Sequence, residues 1–64
     1  MRFYRPDVVM TVHADGSCTL VDLMNGTTRE YDDYMVPMRF QGWTDQVPSD
    51  LEDLAEQLMK KARR

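Results

Sequence analysis

The run Thr11-Val12-His13-Ala14-Asp15-Gly16-Ser17-Cys18-Thr19-Leu20-Val21-Asp22-Leu23-Met24-Asn25-Gly26-Thr27-Thr28 decides the fold of this chain. It holds two turn signals, Asp15-Gly16 and Asn25-Gly26, each flanked by residues that favour extended backbone. Asp-Gly and Asn-Gly mark hairpins because the backbone there reaches positive φ at little cost. With Ala14 and Asp15 as the central residues of a type I turn, Gly16 takes the left-handed bulge position and His13 faces Ser17. Val12 then pairs with Cys18, Thr11 with Thr19 and Met10 with Leu20. This register places Met10, Val12, Cys18 and Leu20 on one face and Thr11, His13, Ser17 and Thr19 on the other. A two-residue Asp15-Gly16 loop would mix the faces, so the first register is preferred.

Working outward, Val8 to His13 reads as the first strand, and Arg2 to Arg5 as an extension of it or a short edge segment, bent at Pro6. Asn25-Gly26 as a type I′ turn pairs Met24 with Thr27, Asp22 with Arg29 and Leu20 with Tyr31, in a third strand running to about Tyr34. Val9, Val21 and Leu23 then lie together on the less apolar face, which calls for an explanation. Further on, Ser49-Asp50-Leu51-Glu52 matches a capping box, with Pro48 ahead of it. The helix expected from Asp50 to about Ala62 carries Leu51, Leu54, Ala55, Leu58, Met59 and Ala62 on one stripe. Acidic residues open it, and Lys60, Lys61, Arg63 and Arg64 close it, which suits the helix dipole at both ends. The expected fold is α+β: one domain over residues 1–64, a three-stranded antiparallel β-meander followed by a single C-terminal helix packed on one sheet face.

Composition restricts function more than it reveals it. A single cysteine excludes an intrachain disulfide, and one thiol with one histidine cannot build a four-ligand structural zinc site. No cofactor motif is present. The net charge of −3 argues against a general nucleic-acid binder, which needs clustered Lys and Arg. No segment approaches the roughly 18 apolar residues of a membrane span. The N-terminal residues lack a secretory leader's apolar core, so the expected setting is cytoplasmic.

Candidate chemistry is sparse. His13 is the only side chain whose ordinary pKa lies near neutrality. Paired with Cys18 it would resemble an activated nucleophile, but the preferred register sends the two to opposite faces. Asp32 and Asp33 read as charges that protect a strand edge.

The connector Tyr34-Met35-Val36-Pro37-Met38-Arg39-Phe40-Gln41-Gly42-Trp43 is the unusual segment. Tyr, Trp, Met and Arg are enriched where proteins meet. The same residues can equally seal a small core, with Trp43 and Phe40 as a lid. The candidate partner-binding residues are Tyr34, Met35, Met38, Arg39, Phe40 and Trp43, with Trp43 mainly core and Met35, Met38 and Arg39 supplying the contact.

The expectation is a small non-enzymatic protein-binding module, a regulator or inhibitor of the kind phages and mobile elements carry, occupying a surface on a larger protein or complex. The alternative is a dimeric nucleic-acid-associated regulator using Arg2, Arg5, Arg29, Arg39 and the Lys60–Arg64 end. A homodimer is also expected, through the strand containing Val8 to His13, because a three-stranded sheet leaves two edges open.

Overall fold

The computed structural model describes residues 1–62. Four strands, β1 (Arg2–Arg5), β2 (Val8–Val12), β3 (Cys18–Asp22) and β4 (Thr27–Tyr31), form one antiparallel sheet in sequential order. A four-residue helical turn, α1 (Met35–Met38), follows, and then the helix α2 (Ser49–Ala62). The fold is therefore α+β with a C-terminal helix, but its sheet has four strands rather than three.

The fourth strand arises at Pro6-Asp7. Pro6 locks its φ near −65°, and Asp7 takes φ 64°, a left-handed conformation that a short polar side chain tolerates. These two residues turn the chain straight back, so that Arg5 pairs with Val8 and Arg2 with Thr11. As a result β2 is bonded on both sides, which removes the Val8–His13 strand as a dimer edge.

The β2–β3 hairpin has the expected register, Val12 with Cys18, Thr11 with Thr19 and Met10 with Leu20. Gly16 sits at φ 89°, and the His13 N–H donates to the Ser17 carbonyl at 2.8 Å. The Asp15 carboxylate tightens the loop by accepting from the Ser17 N–H at 3.0 Å and its hydroxyl at 2.6 Å. The β3–β4 register differs by two residues from the type I′ expectation: Asp22 pairs with Thr27, Leu20 with Arg29 and Cys18 with Tyr31. The cause is the Asp22 side chain. Its Oδ1 accepts from the N–H groups of Met24 and Asn25 at 3.0 and 3.2 Å, and its Oδ2 from Asn25 Nδ2 at 2.9 Å. That holds a longer loop over residues 23–26, which Gly26 closes at φ 66°. A shift of two leaves every side chain on its expected face.

Both faces are covered. Helix α2 lies on the face of Val9 and Val21, where these two valines and Ala55 are fully buried, with Tyr4, Leu23, Val47, Leu58 and Met59 packed around them. The apolar set on the less apolar face is thus the floor of the helix. Burying each valine stabilises by roughly 1.5–3 kcal/mol. On the opposite face Met10 and Cys18 are also fully buried, and Pro37 with them.

Within α2 the buried position is Ala55, whereas Leu54, expected on the inner stripe, is 39% exposed at its flank. Leu51 and Leu58 are half-buried. The side chain of Ala62, together with Arg63 and Arg64, lies outside the described residues. The capping box does not form. Ser49 is instead the first helical residue, and the helix opens with backbone bonds, the Pro48 carbonyl accepting from the N–H groups of Leu51 and Glu52 at 3.0 Å each.

Candidate functional site

The connector crosses the sheet face opposite α2, and backbone hydrogen bonds fix both its ends. The Tyr34 N–H donates to the Gly16 carbonyl at 2.9 Å, tying its start to the β2–β3 loop. At the far end Thr44 and Tyr4 exchange two bonds of 2.7 and 2.8 Å on the outer edge of β1. Asp33 sets the entry into α1, its carboxylate accepting from the Met35 N–H at 2.9 Å. The path therefore runs from the end of β4 across to β1.

Pinned in this way, the connector sorts its side chains. Pro37 is buried, and Tyr34, Met38 and Trp43 are half-buried. The Trp43 indole N–H donates to the Pro37 carbonyl at 2.9 Å. Met35, Val36 and Phe40 remain 47%, 46% and 48% exposed, and Arg39 is exposed. Of the candidate contact residues, Met35, Arg39 and Phe40 thus face solvent, and Trp43 belongs to the layer that covers the sheet.

Two groups remote in sequence complete the surface. The Arg5 guanidinium lies 5.6 Å from the Phe40 ring centroid and 5.7 Å from that of Trp43, within cation–π range of both. Beside Phe40 a cleft of about 370 Å³ opens over the sheet, lined by Val8, Leu20, Arg29 and Tyr31 among others. The connector is one continuous stretch of sequence, but Arg5, Leu20, Arg29 and Tyr31 join it only through strand pairing. The alternation of the strands was the one signal that placed them on this face.

The arginines of the nucleic-acid alternative are spread out. Arg2 lies on the α2 face and pairs with Glu56 at 2.5 Å. Arg5 and Arg29 point to the opposite face from strands at opposite margins of the sheet. Arg29 stands 6.0 Å from the Tyr31 ring centroid. Arg63 and Arg64 fall outside the described residues.

His13 and Cys18 do not meet. His13 Nε2 lies 2.9 Å from the Thr19 hydroxyl on the α2 face, and Cys18 is buried under the connector. Burial pushes the Cys18 thiol up from its ordinary value, and the nearby Asp33 charge adds to that. Both effects oppose the thiolate that nucleophilic chemistry needs.

Comparison with protein-family models, with curated proteins and with solved structures finds no match.

Proposed function

We propose that this protein is a non-enzymatic binding module, a regulator or inhibitor of the phage or mobile-element accessory type, acting in the cytoplasm by occupying a surface on a larger protein. One observation carries the reading. A connector fixed at both ends holds Met35, Val36 and Phe40 about half exposed in a small domain. Apolar and aromatic side chains displayed on an ordered backbone lose little entropy on binding. They are also the residue types that anchor protein interfaces.

The test is capture from native lysate followed by mass spectrometry, with the wild type beside Met35→Ala/Phe40→Ala. The double variant should melt close to the wild type and lose the protein that the wild type retains. A variant that stays folded and still captures that protein overturns the connector as the interface. Repeating the capture at 50 and 500 mM salt separates this reading from phosphate recognition, whose affinity falls steeply with salt.

A further inference from the structure

We infer that the outer edge of β4 is a docking edge for an extended segment of the partner protein, carrying an acidic residue opposite Arg29 and a basic residue opposite Glu30. The inference rests on the reading above only in taking the partner to be a protein. It adds a second contact and a charge pattern to it.

The two margins of the sheet are not alike. Backbone groups alternate along a strand between its two neighbours. In β1 the outward-facing Tyr4 is already bonded to Thr44. In β4, Thr27, Arg29 and Tyr31 face β3, which leaves the N–H and C=O groups of Thr28 and Glu30 facing outward. Among the described residues none of these groups has a backbone partner. Such an edge is a template for another strand.

A second copy of this chain is a poor occupant. A symmetric antiparallel pair forms hydrogen bonds only where outward-facing residues oppose outward-facing residues, which leaves three registers. Centring on Arg29 sets it against its own copy in a non-hydrogen-bonded pair, the closest approach of side chains. Centring on Glu30 opposes two carboxylates. Like charges directly opposite each other destabilise a ladder. Centring on Thr28 brings Gly26, at φ 66°, against Glu30 and ends the ladder after three residues.

A heterologous segment meets none of these obstacles. Among the described residues Arg29 has no carboxylate partner, so a carboxylate on the connector face suits it. Glu30, on the α2 face, calls for Lys or Arg. In an antiparallel segment, read from its N-terminus, this gives an apolar residue against Tyr31, then a basic, an acidic and a β-branched residue. The cleft of Leu20, Tyr31 and Phe40 adjoins this edge on the connector face.

The probe is the blocked hexapeptide Thr-Val-Lys-Glu-Thr-Val, titrated into the labelled full chain by NMR. Saturable shifts and slowed amide exchange at Thr28 and Glu30 are expected. Transposing the peptide's Lys and Glu should weaken binding at least tenfold, and Arg29→Glu/Glu30→Lys should reverse the preference. Equal binding of both peptides, or no protection of these amides at millimolar peptide, overturns the inference. So does protection that grows with protein concentration alone, which would mean self-pairing. If the charge-reversed variant still captures the wild-type partner from lysate while Met35→Ala/Phe40→Ala does not, the edge inference fails and the binding-module reading stands.

Discussion

Trp43 closes the connector onto itself, its indole N–H donating to the carbonyl of Pro37, six residues earlier, at 2.9 Å. One side chain thus covers the sheet and adds a second donor to a carbonyl within the four-residue helical turn, which also accepts from the Phe40 N–H at 3.0 Å. Trp43→Phe, which keeps most of the area but drops the donor, should cost about 1–2 kcal/mol in urea denaturation. Trp43→Ala should cost about 3 kcal/mol, a large share of what a 64-residue domain possesses.

The stripe of α2 gives a graded series. Leu58→Ala, which loses contacts with the Val9–Val21 cluster, should cost about 2 kcal/mol by thermal melting. Leu54→Ala, at a flank 39% exposed, should cost less than about 1 kcal/mol. Ala55→Leu should destabilise by about 1–3 kcal/mol through overpacking, since Ala55 is fully buried.

Acid should loosen the loops and the Arg2 contact together. Hydrogen bonds from Ser17 hold Asp15 below its ordinary value of 3.8. Those from Asn25 do the same for Asp22, and Arg2 lowers Glu56 from 4.5. In each case the unfolded chain binds the proton more readily than the folded one, so stability is complete above the unfolded values and drains away below them. Denaturation midpoints should be level above about pH 5 and fall progressively below about pH 4.5. Asp22→Ala should lower the plateau and flatten the acid limb.

Cys18 should report on opening of the connector. A buried thiol with a raised pKa reacts with a disulfide reagent only when the covering layer lifts or the chain unfolds. Native-state labelling should be slow and accelerate in Trp43→Ala. Rapid labelling of the wild type at neutral pH would show that the connector does not cover this face.

Local chemistry wrote part of this structure legibly into the sequence. Asp15-Gly16 gave the β2–β3 register because turn geometry and segregation of the faces pointed the same way. Asn25-Gly26 misled because Asp22, at the end of β3, bonds the loop into a longer form that dipeptide preferences do not contain. Pro6 reads as a break in a strand, yet it is a turn position once Asp7 accepts positive φ. Ser49 matches a cap pattern, yet it sits one residue inside the helix, whose opening bonds end on the Pro48 carbonyl. The connector stands out by composition, but composition does not say which of its side chains turn inward. Pro37 is buried and Tyr34, Met38 and Trp43 are half-buried, while Met35, Arg39 and Phe40 are exposed. Arg5 beside Phe40 and the cleft along β4 depend on which strands are neighbours, and no short window carries that.

The four-stranded sheet also acts as a partition. Val9, Val21 and Ala55 form their layer on one side, and the connector's Phe40 and Trp43 lie against Arg5 on the other. Solvent-facing positions such as Met35, Val36 and Phe40 can therefore be exchanged without disturbing the helix layer. If the proposed binding role holds, such a chain can follow a changing partner by altering a handful of codons, while selection for folding acts on a different set.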